Sequence, residues 1–186
     1  MERSMNPSSK RSRRWITKAL LELMMAKPYQ KISITEIAEE ADVVRRTFYR
    51  NFESKEDVIK TYIESIFKGF ITSVKENDTM DMKIVAKEFF EYMNRHRVFL
   101  KLLYDHDMFD LILKVFEERI FESSNNTDWT KENKLDVYIK YSRSFFIAGL
   151  WYMLENWLKS GMLETPEELA SIFDNVLQND MKKGWS

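Results

Sequence analysis

The 186-residue chain has 44% hydrophobic and 32% charged residues, only 4 Gly and 3 Pro, and no Cys. This composition favours a soluble all-helical protein with short loops, and it excludes disulfides and cysteine-ligated metals. The longest apolar run, residues 145–154, is far shorter than the roughly 20 residues of a membrane span. The basic N-terminus lacks the apolar stretch of a secretory signal, so we expect a protein that stays inside the cell.

The net charge of −1 conceals an uneven distribution. Residues 1–52 carry 11 Lys or Arg against 6 Asp or Glu, whereas the remaining 134 residues carry 18 against 24. A basic head on an acidic body indicates that only the first third of the chain meets a polyanion.

The first predicted helix follows an arm-like segment, residues 1–9. Apolar residues at helical spacing predict this helix over 10–26, and Pro28 ends it. Its expected apolar face comprises Trp15, Ile16, Ala19, Leu20, Leu23 and Met24.

The second and third predicted helices lie close together in the sequence. Ser33 and Glu36 have the spacing of a capping box, with Ile32 and Ile37 as the hydrophobic staple across it. Asp42 falls in the turn that follows, where a left-handed residue is often required. The third helix is predicted over 44–51.

The third helix should bury Phe48, with Phe52 buried just beyond its end. Two helices joined by so short a turn make a helix-turn-helix, whose second helix can enter the DNA major groove. From the residues alone, the alternative is a small helical bundle with a solvated basic face. The side chains left pointing outward are Arg45, Arg46, Tyr49 and Arg50.

The rest of the chain is also predicted to be helical. Ser54 and Asp57 cap a long fourth helix, and Thr165 with Glu168 forms a capping box that opens the last one. The polar stretch 123–133 is the expected internal loop. Further helices are predicted over 82–93, 97–104, 108–121, 134–160 and 165–182, about nine in all.

Residues 34–59, ITEIAEEADVVRRTFYRNFESKEDVI, resemble the DNA-binding signature of TetR-family regulators. That signature has an apolar-x-x-IA-x-x-AGV turn, then T-(aromatic/Leu)-Y-x-x-F, then S/N-K-E-x-L. The resemblance is strong over about residues 10–60. The matching residues are Ile34, Ile37, Ala38, Ala41, Val43, Thr47, Phe48, Tyr49, Phe52, Ser54, Lys55 and Glu56.

Two positions depart from the family pattern. Asp42 stands where the family usually has Gly, and Val44 stands where a Ser or Thr cap is common. The missing cap should cost about 1 kcal/mol locally. Both departures suggest an operator different from those of better-matched members.

The resemblance implies an all-α fold with two domains. Residues 1–53 would form an N-terminal arm and a three-helix DNA-binding domain, and residues 54–186 a helical domain for effector binding and dimerisation. It also implies a sequence-specific transcriptional regulator that acts as a homodimer on a palindromic operator of double-stranded DNA. Such a protein is expected in the prokaryotic cytoplasm, associated with the nucleoid.

Carried over by position, the resemblance assigns Arg45, Arg46 and Thr47 to DNA bases. Arginine can grip guanine O6 and N7 with two hydrogen bonds, which discriminate against other bases by roughly 1–3 kcal/mol. The helix start at Ser33 and Thr35 can meet a phosphate through free amides. The resemblance places Tyr49, Asn51 and Lys55 against phosphates as well.

Four cations near the N-terminus have two interpretations. They could form an arm along a DNA groove, or they could contribute only untargeted electrostatic attraction. They are Lys10, Arg11, Arg13 and Arg14.

The aromatic and Met residues of the body could line an effector pocket, as in the family, and an apolar or amphipathic effector would suit them. The alternative is an ordinary hydrophobic core. The candidates are Phe67, Phe70, Phe89, Met93, Tyr104, Met108, Phe116, Tyr141 and Phe145.

Metal binding and catalysis have little support in the sequence. His96 and the run 105–107 contain the only two histidines, which are not spaced four apart on one helix face. The sequence has no glycine-rich phosphate loop and no nucleophile–base spacing. We therefore expect no metal, no cofactor and no enzymatic activity.

Residues 145–158 are apolar nearly all round the predicted helix, so a partner surface is expected. This segment and the following TPEELA resemble the last two helices of a TetR subgroup, where they form a four-helix dimer interface. Gly149 would permit close helix approach. The interface candidates are Phe146, Gly149, Leu150, Met153, Trp157, Ile172, Phe173 and Val176.

The expected function is that of a ligand-responsive repressor, in which effector binding shifts the dimer to a spacing that no longer fits the operator. The alternative is a ligand-independent architectural or adaptor protein, whose body only dimerises or docks a protein partner. The sequence does not distinguish a repressor from an activator.

Overall fold

The computed structural model describes residues 7–76, 81–124 and 134–178, and these residues form helices joined by turns. The predicted all-α fold is thereby confirmed. The described α-helices are α1 Pro7–Ala26, α2 Ile34–Glu40, α3 Arg45–Asn51, α4 Lys55–Glu76, α5 Met82–Arg95, α6 Arg97–Asp105, α7 Asp110–Ser124, α8 Lys134–Lys159 and α9 Pro166–Gln178, with a 3₁₀ turn at Tyr29–Lys31.

Some predictions lie outside the described residues. They concern the first six residues of the expected arm, most of the predicted loop 123–133, and the predicted end of the last helix at 182. Within the described residues, every helix is too short or too polar to cross a bilayer.

The chain divides into two compact units. Met1–Ile66 groups with Leu102–Val115, and Phe67–Lys101 groups with Phe116–Ser186. This division keeps the first half of α4 with the helix-turn-helix. The predicted boundary between residues 53 and 54 separates a DNA-binding part from a part for effector binding and dimerisation, and it stays a prediction.

In the first unit, α1 packs against α2 and α3 through a stripe of residues four apart. Ile16, Leu20 and Met24 are fully buried, as expected from helical periodicity. Trp15 lies one position off this stripe and is exposed instead, with the Arg11 guanidinium 5.0 Å from its ring centroid.

The helix α1 begins three residues earlier than predicted, at Pro7. Proline suits the first turn of a helix, where its missing N–H has no intrahelical acceptor and its φ is already helical.

The turn from α2 into α3 follows the sequence signals closely. Ser33 Oγ accepts the Glu36 N–H at 3.2 Å, and the Glu36 carboxylate accepts the Ser33 N–H at 2.9 Å, which is the predicted capping box. Asp42 adopts the expected left-handed conformation, with φ of 51°. The Val43 N–H then donates to the Ala38 carbonyl at 2.9 Å, and the chain reverses into α3.

In the second unit, aromatic rings pack on one another between α4, α5 and α8. Ring centroids lie 5.5 Å apart for Phe70 and Phe89, 5.3 Å for Phe89 and Phe90, and 6.0 Å for Phe90 and Trp157. The edge-to-face geometry of these pairs is the favoured one for aromatic side chains. This packing forms the core of the unit.

Several of the predicted effector-pocket residues are buried in the hydrophobic core. Phe70, Phe89, Met93 and Phe116 are buried, which agrees with the ordinary-core interpretation. Phe67 packs against Phe116, with centroids 4.7 Å apart.

Four other pocket candidates lie elsewhere. Tyr104 and Met108 are half-buried in the first unit, where Tyr104 packs against Phe109 with centroids 6.2 Å apart. Tyr141 and Phe145 are 66% and 60% exposed on α8, so they lie on the surface of the chain and not in an enclosed pocket.

The predicted dimer face of α8 and α9 needs correction. Leu150, Trp157 and Phe173 are buried in the interior of the chain itself. Phe146 packs on Phe173 with centroids 5.0 Å apart, and a Cβ added at Gly149 would lie 3.0 Å from the Phe173 ring. The close helix approach that Gly149 permits is therefore between α8 and α9 of one chain.

The apolar residues that α8 and α9 expose to solvent differ in part from the predicted interface residues. Ile172 and Val176 keep 48% and 47% of their surface exposed, as the prediction requires, while Met153 is half-buried. A helix that is apolar all round has no unique stripe in its sequence, so packing decides which side is covered. The exposed aromatic residues on α8 are Tyr138, Tyr141, Phe145 and Tyr152.

Candidate nucleic-acid interface

The amino-terminal half of α3 presents polar side chains to solvent, and aromatic side chains of the same segment point into the core. Arg45 and Arg46 are exposed and Thr47 is half-buried, whereas Phe48 and Phe52 are fully buried, as predicted. The two rings pack with centroids 6.0 Å apart. The outward edge of α3 is thus held in a defined orientation by the core beneath it.

Arg45 is supported by Tyr49 one turn further along α3. The Arg45 Nη2 donates to the Tyr49 hydroxyl at 3.1 Å, and the guanidinium lies 5.5 Å from the centre of that ring. The Tyr49 ring in turn packs edge-on against Phe48 with centroids 5.6 Å apart. Because the hydroxyl accepts from Arg45, its own hydrogen is available for a phosphate oxygen.

Val44 occupies the N-cap position of α3. Its backbone has the extended conformation of a cap, with φ −72° and ψ 146°, but its apolar side chain cannot accept a hydrogen bond. The predicted absence of a polar cap is therefore a feature of the folded helix. The isopropyl group is 69% exposed at the same end as Arg45 and Arg46.

Asn51, expected at a phosphate, faces inward instead. It is only 7% exposed. Its Nδ2 donates to the Thr47 carbonyl at 2.8 Å, and its Oδ1 accepts from the Ser9 hydroxyl at 2.7 Å. Both ends of the amide are engaged within the protein, so it joins α3 to α1.

Arg13, expected in a DNA-binding arm, also faces inward. Its Nη1 donates to the Asn51 carbonyl at 2.9 Å and its Nη2 to the Thr61 hydroxyl at 3.1 Å. The guanidinium carbon lies 4.3 Å from the centre of the Phe52 ring. The other three cations of the predicted arm, Lys10, Arg11 and Arg14, are exposed.

Lys55, the third inward-facing candidate, binds the 3₁₀ turn. Its Nζ donates to the carbonyls of Tyr29 at 2.6 Å, Ile32 at 2.8 Å and Gln30 at 3.4 Å. It also lies 4.3 Å from the centre of the Tyr29 ring. Burial lowers the pKa of Lys55, although the nearby Glu36 carboxylate opposes this effect.

At the start of α2, the amide and hydroxyl of Ser33, which were expected to meet a phosphate, are hydrogen-bonded within the protein. Its N–H and its hydroxyl both donate to the Glu36 carboxylate at 2.9 Å, and Lys27 pairs with the same carboxylate. The hydrogen bond from Lys27, followed by those from Ser33, lowers the pKa of Glu36 to about 2. Thr35 is exposed and stays a phosphate candidate.

His106 links the segment after α6 to the end of α1 and to the 3₁₀ turn, a contact that the sequence did not predict. The Tyr29 N–H donates to His106 Nδ1 at 3.4 Å, and His106 Nε2 lies 2.8 Å from the Met24 carbonyl. If Nδ1 accepts, Nε2 carries the hydrogen and donates to that carbonyl. Among the described side chains, no group of three or more His, Asp or Glu residues could hold a metal.

Both parts of the chain match known protein families. A family model described as "Bacterial regulatory proteins, tetR family" matches residues 16–61, which span the second half of α1 through the first turns of α4. A second model, "Transcriptional regulator C-terminal region", matches residues 81–179, more than half of the chain. The chain belongs to the TetR family of bacterial regulatory proteins.

Among individual relatives, the chain is 25% identical over 163 residues to the uncharacterized HTH-type transcriptional regulator YxbF of Bacillus subtilis (strain 168). The match covers 83% of this chain and 42% of YxbF, so the chain spans about two fifths of that relative's length.

Two solved structures share the fold at low identity. The fatty acid degradation regulator FadR from Bacillus halodurans matches with a TM-score of 0.65 and 17% identity, covering 97% of this chain and 99% of FadR. The regulator FadR from Bacillus subtilis, in complex with stearoyl-CoA, matches with a TM-score of 0.56 and 15% identity, covering 89% and 97%.

Within this TetR-family domain, the predicted DNA contacts fall into two groups. Arg13, Ser33, Asn51 and Lys55 donate to acceptors inside the protein. The remaining candidates stay at the surface or at its edge. They are Lys10, Arg11, Arg14, Thr35, Arg45, Arg46, Thr47 and Tyr49.

Proposed function

We propose that the protein is a sequence-specific DNA-binding transcriptional regulator in which α3 is the recognition helix. The observation that carries this proposal is the edge of Arg45, Arg46 and Thr47 at the amino end of α3, held above the buried Phe48 and Phe52. Recognition helices contact base edges through their amino-terminal residues. The two guanidinium groups suit guanine, and Thr47 can bond to any of several bases.

This assignment is tested by selecting bound sites from random DNA and then comparing variants on the selected operator. Arg45→Ala and Arg46→Ala should each weaken binding by about 5- to 160-fold, which corresponds to the roughly 1–3 kcal/mol of a bidentate contact. Each should relax the preference at one position per half-site. Arg97→Ala is the control, because it removes an equal charge from an exposed position on α6.

The two recognition-helix variants also decide whether the assignment stands. If both kept the affinity and the base preference of the wild type, α3 would not be the reading element. A loss equal to that of Arg97→Ala would mean that only net charge had changed.

The proposed regulator is a homodimer that uses the exposed faces of α8 and α9. Tyr152, Ile172 and Val176 belong to this apolar surface, together with Tyr138, Tyr141 and Phe145. Exposed apolar patches on a protein surface mark interaction sites. A two-fold dimer would place the two copies of α3 about 34–36 Å apart, which is one turn of DNA, and would read a palindrome.

Sedimentation at micromolar concentration tests the dimer. Ile172→Glu buries a charge in the proposed interface and should shift the protein to monomer with loss of operator affinity. Leu163→Glu is the matched control, because Leu163 is exposed in the α8–α9 connection and should leave the dimer intact. A monomeric wild type would contradict this part of the proposal.

An apolar or amphipathic effector is proposed to release the regulator from DNA, which makes it a repressor. Support comes from the aromatic composition of the second unit and from the stearoyl-CoA bound to the FadR of Bacillus subtilis, whose fold this chain shares. Release requires that the effector bind the DNA-free conformation more tightly than the DNA-bound one.

Stearoyl-CoA is the first probe, with free CoA as control. Operator affinity should fall with stearoyl-CoA and stay constant with CoA. If a panel of acyl-CoAs and free fatty acids leaves operator affinity unchanged, the ligand-independent architectural or adaptor function is favoured. The burial of Phe70, Phe89, Met93 and Phe116 in the core supports this ligand-independent alternative.

A further inference from the structure

Arg13 and Asn51 connect three helices around the carboxyl end of α3. Arg13 on α1 donates to the main-chain carbonyl of Asn51, the last residue of α3, and to the hydroxyl of Thr61 on α4. Asn51 accepts from Ser9 on α1 and donates back to Thr47. We propose that Arg13 and Asn51 are positioning residues, which orient the recognition helix and do not themselves contact DNA.

Arg13 supplies a hydrogen-bond donor to the carbonyl at the end of α3. The last four carbonyls of any helix lack N–H partners within the helix, and the carboxyl end of a helix favours a positive charge. The Arg13 guanidinium supplies both a donor and a charge at 2.9 Å from the terminal carbonyl. It therefore satisfies the last carbonyl of α3.

The shape of the arginine side chain suits this position between the helices. A guanidinium is planar and carries donors in fixed directions, whereas an ammonium is a compact point charge. Arg13 uses this geometry by donating to two helices at once while its carbon lies 4.3 Å from the centre of the Phe52 ring. Lysine would keep the charge but could not reproduce this arrangement.

A contact at the carboxyl end of α3 also controls the position of its amino end. The helix α3 has seven residues, too few to hold a direction without tertiary contacts. Arg45 lies six residues before Asn51, a distance of roughly 9 Å along the axis. A tilt of about 10° over that length moves the reading end by about 1.5 Å, which is enough to break hydrogen bonds to base edges.

The proposal rests on the proposed role of α3 as the recognition helix, and salt dependence tests it. A residue that contacts a phosphate contributes about 0.9 to the slope of log affinity against log salt, on operator and random DNA alike. A positioning residue should weaken operator binding while the slope and the affinity for random duplex DNA stay at wild-type values.

Two conservative variants of the full chain make this test sharp. Arg13→Lys keeps the charge, and Thr61→Val removes the Nη2 acceptor without any change of charge or size. Each should weaken operator binding about tenfold, with unchanged salt slope. Because both variants break the same contact, the double variant should lose less than the product of the two single losses.

Lys18→Arg is the matched control, since it exchanges the same two cations on the same helix at an exposed position outside the DNA-contact candidates, and it should bind the operator like wild type. Circular dichroism and thermal unfolding check that each variant is folded. If Arg13→Lys does not fold, Thr61→Val decides the question by itself, because it leaves Arg13 and every DNA-facing residue in place.

Two results would overturn the proposal. One is a salt slope reduced by about 0.9 in Arg13→Ala, with equal losses on operator and random DNA, which is the behaviour of a phosphate contact. The other is wild-type operator affinity in Thr61→Val. In either case Arg45→Ala would still lose operator affinity, whereas a failure of the recognition-helix assignment would remove that loss.

Discussion

Replacing Val44 by serine should stabilise the start of α3, because this short helix begins with an apolar side chain at its N-cap. The backbone of Val44 already has the extended conformation of a cap, with φ −72° and ψ 146°. A serine hydroxyl at this position can accept from the N–H of Arg46 or Thr47, which are the second and third residues of the helix.

The magnitude follows from a comparison of Val44→Ser with Val44→Ala. Both changes remove the isopropyl group, which is 69% exposed, so the small loss of apolar burial is shared and cancels. The remaining difference is the cap itself, worth about 1 kcal/mol in favour of serine. For a protein of this size, that free energy corresponds to roughly 2–4 °C in melting temperature.

Urea unfolding followed by circular dichroism, with calorimetry as a second method, measures this difference. The serine variant should unfold at the higher urea midpoint, with the same slope as the alanine variant. Equal midpoints would refute the reasoning, since they would mean that the first amides of α3 gain nothing from a side-chain acceptor.

Three further predictions concern local geometry. Asp42 has φ of 51°, so Asp42→Gly should raise the free energy of unfolding, and Asp42→Ala should fall below the glycine variant by roughly 1–2 kcal/mol in urea unfolding. The pKa of Glu36 is lowered from 4.5 to about 2, so its contribution is present above pH 4.5 and is lost as the pH falls towards 2. The stability difference between wild type and Glu36→Gln should therefore shrink between pH 5 and pH 2, and a constant difference would contradict this. A Cβ added at Gly69 would overlap the Tyr92 hydroxyl oxygen, so Gly69→Ala should be destabilising. The loss should be smaller in a Tyr92→Leu background, and additive losses in the double-mutant cycle would show that the two residues are not coupled.

The sequence by itself determined the local features of the fold. The capping box of Ser33 and Glu36 and the left-handed turn at Asp42 depend on residues within five positions of one another. The burial of Phe48 and Phe52 follows from the helical period. Such features are readable because every partner lies nearby in the chain, and the same is true of the TetR-family signature that they form.

Tertiary structure decided which cations and amides remain available to DNA. Arg13 and Lys55 have the residue type and position of phosphate contacts, yet their acceptors lie 23 to 48 residues away in the sequence. His106 likewise contacts atoms 77 and 82 residues away. A side chain's chemistry determines the bonds it can form, but helix packing determines which partner comes within about 3 Å.

The same reason explains the changed register of α8. Its middle is apolar on every side, so Leu150 and Tyr152 are equally plausible as interface residues from the sequence. In the fold, Leu150 is buried and Tyr152 is exposed. Periodicity can identify a covered face only where polar residues mark the opposite one, and in this helix only the neighbouring helices make that distinction.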